Sequence, residues 1–419
     1  MSFRSPASRA VATSAVDESS RWADVYLVAG GRALSVCGDF LAATTLALVL
    51  QQSGHGGFAV SGLMLAAALP LALLAPVAGR LADRADSRKI LVGVGLAQAL
   101  VCVALAFIGD PVLIIGMVAL LACGLAVTQP TIAALLPRMV SRSELARASG
   151  LNQTAGMLGM LIAPALAGFL VGTTGSRVPL LIDACTYLGL VAVGLLVRTR
   201  RRGDESAQKD RTVVFRLRAD RQILVMTVAT AAVVAGVGAI NVVDVFFVRE
   251  TLAASATLYG LVAAAWTVGM LLAGPLVGRM PQRWLTIRTF LALLALSCAA
   301  VLAGSTVSGA AWLIPLWIIG GAGNGGVNVL TSVMIATRVP ESAHGRAFSA
   351  FGAAVQGAGL IGFMVAGPLL DRFDPRPLVA AAGAAGLLAA LICLPLVRRE
   401  TPGRPPHSDR GEIRDTVAA

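Results

Sequence analysis

The chain has 419 residues, of which 57% are hydrophobic and 13% are charged. A soluble domain carries about 25% charged residues, so this composition excludes a soluble fold, α/β folds included. The net charge of +12 would point to nucleic acid in a soluble protein. Here the basic residues lie mostly between apolar runs and are not interleaved with stacking aromatic residues. No nucleic-acid partner is therefore expected.

Apolar runs divide the chain into twelve predicted membrane spans. A helix needs about 20 residues to cross the hydrocarbon core, and runs such as 90–108 and 312–335 are apolar around the whole helix. The predicted spans are 24–50, 58–79, 90–109, 112–136, 149–172, 177–197, 222–247, 256–279, 285–305, 310–336, 347–370 and 376–397. The predicted fold is an all-α membrane protein of twelve transmembrane helices in two six-helix halves.

The segments between the spans differ in their content of lysine and arginine. Alternate segments hold most of the basic residues, and the others hold only Arg177, Arg249, Arg372 and Arg376. Basic loops stay in the cytoplasm, so we expect both termini to be cytoplasmic and the spans to lie in the cell (inner) membrane. The predicted cytoplasmic parts are an N-terminal tail (1–23), a basic linker (198–221) and a C-terminal tail (398–419).

The two predicted halves, 24–197 and 222–397, repeat one another. Gly79 follows the second span and Gly278 follows the eighth, while Pro164 in span five corresponds to Pro368 in span eleven. These pairs are about 200 residues apart and always lie in or after spans that are six apart in chain order, which indicates a duplicated unit. Two such halves around a central cavity are typical of transporters.

Charged side chains inside predicted spans are costly and are candidates for function. Asp39 lies near the middle of span one, where a carboxyl group could load and release a proton; a structural bond between helices is the alternative. Arg32 lies on the same face of that span and either tunes Asp39 or reaches the cytoplasmic surface. Asp183 and Asp244 lie nearer the outer ends of spans six and seven, where packing is expected ahead of proton transfer. Asp244 does follow Asp39 by about one repeat length.

Other polar or aromatic side chains within the spans either line a cavity or form contacts between helices. These candidates are Gln129, Asn152, Gln153, Asn241, Trp266, Asn324, Asn328 and Gln356. Gly321, Gly323 and Gly326 have the spacing G-x-G-x-x-G within an apolar run, so close helix packing is expected there and not dinucleotide binding.

Nothing in the residue pattern favours a metal site, a cofactor or an enzyme. The cysteines stand singly, and the three histidines lack the spacing of metal ligands. No set of nucleophile, base and orienting group occurs within the spans.

The segment after span two carries a family signature. Residues 79–91 read GRLADRADSRKIL, which resembles the loop G-x-L-a-D-r-x-G-r-k-x-x-l of the major facilitator superfamily. The resemblance implies that Gly79 allows close helix approach, that Asp83 bonds to a neighbouring helix end, and that Arg84 and Arg88 anchor the loop on the cytoplasmic side. Asp86 and Ser87 replace the usual Gly and Arg of the family.

Span five carries a second resemblance, to the antiporter pattern G-x8-G-x3-G-P-x2-G-G of the superfamily. The matching residues are Gly150, Gly159, Pro164 and Gly168, with alanine at two of the glycine positions. Small residues at this spacing make a groove for a neighbouring helix, and generic packing is the alternative. Leu120 stands where exporters of the family often carry an arginine in span four.

Within the superfamily, Gly38-Asp39 and the segments 136–140 and 144–148 resemble the macrolide-efflux and enterobactin-exporter branch. The resemblance implies proton-coupled export of a hydrophobic or amphipathic small molecule by a monomer in the lipid bilayer. One alternative keeps the fold and changes the substrate, to a siderophore, a lysophospholipid or a nutrient. The other alternative is a membrane receptor or scaffold that transports nothing.

Overall fold

A computed structural model describes residues 20–199 and 220–395, except residues 142 and 341–342 and the side chains of residues 83 and 84. Most of the predicted tails and linker lies outside these residues. The helices are α1 (Trp22–Gln52), α2 (Gly56–Arg84), α3 (Ser87–Leu105), α4 (Pro111–Leu135), α5 (Leu145–Thr174), α6 (Arg177–Leu196), α7 (Arg221–Phe246), α8 (Ala256–Gly278), α9 (Ile287–Gly304), α10 (Leu313–Arg338), α11 (His344–Leu370) and α12 (Pro375–Cys393).

Each of the twelve predicted spans corresponds to one helix, which confirms the predicted fold class. Several helices begin at a capping residue that the apolar pattern does not mark. Asp86 accepts from the backbone N–H of Arg88 at the start of α3, and Asp110 accepts from Leu113 at the start of α4. Such side chains satisfy backbone donors that have no partner within the helix. Beyond α7, the five residues Phe247–Thr251 form a π-helical turn.

The bundle carries large apolar side chains on its outer surface. Leu73, Leu100 and Val112 are exposed by 67%, 71% and 76% of their area. On a water-soluble protein such a surface would aggregate, whereas in a bilayer it faces lipid tails. Since all twelve helices are long and apolar enough to span, the chain is a multi-pass membrane protein.

The helix contacts of the first half recur in the second. α1 packs on α5 and α6, α2 on α4, and α3 on α4 and α6; α7 packs likewise on α11 and α12, α8 on α10, and α9 on α10 and α12. Between the halves, α2 packs on α11 and α5 on α8. These two contacts exchange when the halves are interchanged, as expected for a duplicated unit.

Glycine contacts define the register of this repeat. A methyl group on Gly159 of α5 would overlap the backbone of Ala33 on α1, and one on Gly362 of α11 would overlap the backbone of Ala235 on α7. With Ala33 matched to Ala235, Asp39 corresponds to Asn241. Asp244, which follows Asp39 by about one repeat length, lies three positions beyond Asn241, because approximate offsets do not show which residues face the neighbouring helix.

Glycines on α10 bring α8 and α9 close. A methyl group on Gly321 would overlap the carbonyl of Trp266, and one on Gly323 would lie 2.7 Å from the carbonyl oxygen of Leu293. The G-x-G-x-x-G spacing is thus a packing feature, as predicted.

The bundle has two ends, which we name by the chain. The tail face is the end where α1 begins and α12 ends, and the far face is the opposite end. At the far face, Gly57 of α2 lies against Leu370 of α11, and Gly168 of α5 lies against Ala256 of α8. Gln51 also donates a 2.8 Å hydrogen bond to Glu250, beyond α7. The two halves are therefore closed against each other at the far face.

A polar clasp holds the start of α1 at the tail face. Glu144, just before α5, accepts hydrogen bonds from Ser20 and from the indole of Trp22, and the Arg147 guanidinium lies 4.7 Å above the Trp22 ring. The hydrogen bonds from Ser20 and Trp22 lower the pKa of Glu144 below its usual value. The folded chain therefore favours the ionised carboxylate at this position.

We expect this clasp to loosen in acid. A carboxyl group with a lowered pKa contributes stability above its unfolded pKa of about 4.3 and loses it as the pH falls through the folded value. Fluorescence of a variant that retains Trp22 as its only tryptophan should report a transition below about pH 4. Glu144→Gln should remove that transition, and a transition of the same size in this variant would contradict the assignment.

Candidate functional site

A cavity of about 470 Å³ lies between the two halves. α1, α2 and α5 contribute side chains from the first half, and α7, α8, α9 and α10 contribute from the second. Its polar lining residues are Thr44, Asn241, Asp244, Tyr259, Thr267 and Asn324. Its size falls within the range of small-molecule sites, about 300–1,000 Å³.

The walls of this cavity are largely apolar and aromatic. Phe40, Trp266 and Trp317 line it, and the two tryptophan rings meet edge to face with centroids 6.4 Å apart. Three methionines, Met64, Met160 and Met270, also face it. Methionine side chains are flexible and adapt to ligands of different shape.

Asp244 is the acidic residue among the described residues that line this cavity. Its Oδ1 atom is buried and has no hydrogen-bond partner in the described part of the chain. The Arg249 guanidinium beyond α7 donates to the carbonyl of Ala254 and is not among the lining residues.

A second acidic centre lies inside the first half, at the junction of α1, α3 and α6. The Tyr187 hydroxyl donates a 2.5 Å hydrogen bond to Asp39. Cys102 donates to Asp183 Oδ2 at 3.1 Å, and Thr186 donates to Asp183 Oδ1 at 3.1 Å. The Asp183 side chain is fully buried. We call these five residues the carboxyl cluster.

Gly38 brings the two carboxyl groups of the cluster together. A methyl group on Gly38 would overlap both Asp183 Oδ1 and Thr186 Oγ1, so the Asp183 side chain packs directly on the backbone of α1. Asp39 is the next residue along that helix. The two aspartates therefore share one buried polar site, although they come from different helices.

Arg32 lies apart from both centres. Its Nε atom packs on Gly156 of α5 and has no hydrogen-bond partner in the described part of the chain. Asn152, one turn before Gly156, has a buried Oδ1 that likewise lacks a described partner. Arg32 thus belongs to the interface of α1 and α5.

The family model described as Major Facilitator Superfamily matches residues 28–247 and 226–419. The chain belongs to the major facilitator superfamily. Proteins of this superfamily and the matched structures are transporters, so the chain is a membrane transporter and not an enzyme.

Curated relatives within the superfamily include exporters. The uncharacterized MFS-type transporter YfiS of Bacillus subtilis is 25% identical over 81% of this chain and 84% of its own length. The multidrug resistance protein MdtG of Rahnella is 25% identical over 66% of this chain and 69% of its own length. Macrolide efflux protein A of Streptococcus pyogenes is 24% identical over 44% of this chain and 47% of its own length.

Solved structures of superfamily-like transporters share the fold. The nucleoside transporter NupG superposes with a TM-score of 0.73 at 14% identity, over 90% of this chain and all (100%) of its own. A bacterial homologue of the iron transporter ferroportin, in its inward-facing state, gives a TM-score of 0.72 at 16% identity, over 89% of this chain and 98% of its own. Identities this low show a common fold and carry no information on the substrate.

The predicted lining residues fall into three groups. Asn241, Trp266 and Asn324 line the central cavity. Gln129 and Gln356 line a second pocket, of about 340 Å³, between α2, α4 and α11 nearer the tail face. The third group, Asn152, Gln153 and Asn328, lines neither of these two pockets. The Nδ2 atom of Asn328 lies 3.5 Å from Oδ1 of Asn324.

The superfamily motifs are only partly matched by packing contacts. A methyl group on Gly79 or Gly150 would meet nothing within 4 Å, so the close approach expected at Gly79 is absent from this conformation. The side chains of Asp83 and Arg84 lie outside the described residues. The N–H of Arg88 is the donor to the capping carboxylate of Asp86, which gives this departure from the family pattern a structural role.

The antiporter-like motif contacts two different helices. Gly159 packs against α1 within its own half, whereas Pro164 and Gly168 pack against α8 of the other half. α5 therefore links the helix that bears Asp39 to the interface between the halves.

Sequence analysis missed Cys102, Thr186 and Tyr187 of the carboxyl cluster. Thr186 and Tyr187 follow Asp183 by three and four residues and so share its helix face. That spacing was a usable signal for α6. The hydrogen bond from Tyr187 to Asp39 spans 148 residues of sequence and had no local signal.

Proposed function

We propose that this chain is a proton-coupled exporter of hydrophobic or amphipathic small molecules, which works by alternating access. The observation that carries the proposal is the position of the carboxyl cluster. Asp39 belongs to the cluster, while Phe40, the next residue of α1, lines the central cavity. A proton gained or lost at the cluster therefore acts on a helix that contacts the substrate.

The cluster has the composition of a proton site. Two carboxyl groups, a phenol and a thiol exchange hydrogen bonds in a buried setting. Buried ionisable groups within membrane spans are expensive and are typical of proton pathways. Asp183 packs on Gly38, next to Asp39, so a proton bound by either carboxyl group changes the charge of one shared polar site.

The contacts between the halves support alternating access. At the far face they include glycines packed against backbone, as at Gly168 against Ala256 and at Gly260 against Pro164. The equivalent contacts α2–α11 and α5–α8 allow the halves to rock as bodies around the central cavity. The relatives named for macrolide efflux and multidrug resistance support export as the direction.

The arginine-rich segments support a cytoplasmic tail face and an inner-membrane location, by the positive-inside rule. The central cavity is enclosed by helices of a single chain, which supports a monomer as the working unit. In this orientation the structure is closed toward the outside.

Efflux from energised cells tests the proposal. Cells that express the chain should extrude both a fluorescent cation, rhodamine 6G, and an uncharged amphipath, Nile red, and a protonophore should stop both. Asp39→Asn should reduce efflux to the rate of cells without the chain, because it removes a carboxyl group from the cluster. Asp110→Asn is the matched control, since Asp110 is an exposed cap and asparagine caps equally well.

Other results would replace the proposal. Net uptake of a siderophore, lysophospholipid or nutrient would make the chain an importer. Export that continues with a protonophore, or in Asp39→Asn, would remove the cluster from the mechanism. Absence of flux for every compound would favour a receptor or scaffold.

A further inference from the structure

Asp244 brings a carboxyl group into the central cavity without a positively charged side chain beside it among the described lining residues. The described lining residues include this carboxyl group and no lysine, arginine or histidine. Its Oδ1 atom is buried without a hydrogen-bond partner in the described chain. A buried carboxylate without a counter-charge is strongly unfavourable, so this group either takes up a proton or binds a cation.

The two acidic centres differ in this respect. In the carboxyl cluster, Asp39 and Asp183 each accept hydrogen bonds from neighbouring side chains. Asp244 lacks such donors, and Tyr259 and Asn241 beside it in the lining form no described hydrogen bond with it. The first centre is satisfied within the protein, whereas a charged carboxylate at the second would be stabilised by a cationic partner from outside.

The walls around Asp244 indicate what that partner is. The rings of Phe40, Tyr259, Trp266 and Trp317 line the cavity, and aromatic rings attract organic cations through their π-electron density. The same rings and the three methionines provide apolar contact for a bulky body. An anion would meet a carboxylate with no positive side chain among the described lining residues, so anionic substrates are disfavoured.

We propose that the central cavity binds an amphipathic organic monocation, with Asp244 as its counter-charge and the aromatic walls as the site of its apolar body. The proposal rests on the transport function above and specifies its substrate class. It also separates two roles: the carboxyl cluster handles the proton, and Asp244 recognises the charge of the substrate.

Equilibrium binding to the purified full-length chain in lipid nanodiscs tests the site without requiring transport. The probe is radiolabelled tetraphenylphosphonium, a permanent cation with an aromatic body, and its uncharged counterpart is triphenylphosphine oxide. The wild-type chain should prefer the cation by at least about tenfold. This comparison needs no variant, so it does not depend on the folding of a mutant.

Asp244→Asn should weaken tetraphenylphosphonium binding by about 30-fold or more and leave triphenylphosphine oxide binding within about twofold. Asp244→Glu keeps the charge and should retain most of the affinity for the cation. Asp110→Asn removes an exposed carboxylate at the far face and should bind as wild type does. Gel filtration of each variant checks that it is folded.

Three results would overturn the proposal. They are a wild-type chain that fails to prefer the cation, an Asp244→Asn variant that binds it unchanged, and an equal loss of both compounds in a folded Asp244→Asn variant. Because binding is measured without a gradient, Asp244-dependent binding in a chain that exports nothing would reject the export function and retain the site. Export of uncharged compounds alone would retain the export function and reject the cation site.

Discussion

Gly260→Leu is expected to hold the far face open and to slow transport by roughly 100-fold. A methyl group on Gly260 of α8 would overlap the carbonyl of Pro164 on α5. The obstacle is backbone, which cannot rotate away as a side chain can. Overpacking of this kind costs about 1–3 kcal/mol, and it penalises only the conformation in which α5 and α8 meet.

The conformational shift is measurable by spin-label distances across the far face. Labels on cysteines introduced at Thr174 and Ser308, after replacement of the native cysteines, report the separation of the halves; both positions are exposed. Gly260→Leu should lengthen this distance while the protein remains folded. Gly278→Leu, on the same helix, is the control because a methyl group there meets nothing within 4 Å. An unchanged distance in Gly260→Leu would show that the contact does not close the far face.

Gly159→Val offers a useful contrast to Gly260→Leu. Gly159 packs on α1 within one half, and a contact inside a half persists when the halves rock. Overpacking there should lower thermal stability in every conformation and leave the balance between open and closed states unchanged. The two glycines thus distinguish the stability of a half from the closure of the interface.

Gly38→Val is expected to abolish proton-driven transport without abolishing substrate exchange. The added side chain would occupy the space of Asp183 Oδ1 and Thr186 Oγ1 and so would displace Asp183 from Asp39. The central cavity does not include Gly38 among its lining residues, so substrate should still bind and exchange between the two sides.

Proteoliposomes separate these two activities. With Gly38→Val, uptake driven by an imposed pH gradient should fall to that of empty liposomes, while exchange of labelled for unlabelled substrate at equal pH should remain within about threefold of wild type. Gly30→Val is the matched control on α1, since a methyl group at Gly30 meets nothing within 4 Å. Gradient-driven uptake that survives Gly38→Val would contradict the assignment of the proton site, and loss of both activities would indicate a damaged half instead.

The twelve spans could be predicted from the sequence because the bilayer requires a minimum length of apolar residues in each of them. Each span needs about 20 apolar residues whatever it packs against, so 112–136 and 256–279 predicted α4 and α8 to within one residue at each end. The predicted and observed helix ends agreed less well where a helix extends beyond its apolar run. The predicted span ended at residue 79, whereas α2 continues to Arg84. Such ends depend on hydrogen bonds and not on apolar length.

The candidate site could be predicted from the sequence only in part. Asp39, Asp183 and Asp244 stood out because charges inside spans are rare. The sequence did not predict which of these residues share a site, since Asp39 and Asp183 are 144 residues apart in the chain and meet only when α1 packs on α6. Asp244 was expected near an outer end in a packing role, and the structure places it in the lining of the central cavity.

The sequence by itself therefore determined the class of the protein, the number of its helices and the small set of charged groups buried within them. The tertiary structure decided which of those groups share a site, which one faces the cavity, and which glycines join the halves. The physical reason is that lipid, a helix neighbour and an apolar cavity all accept the same apolar side chains. A helix such as α4 carries apolar residues on every face, so its sequence alone does not reveal which face points inward.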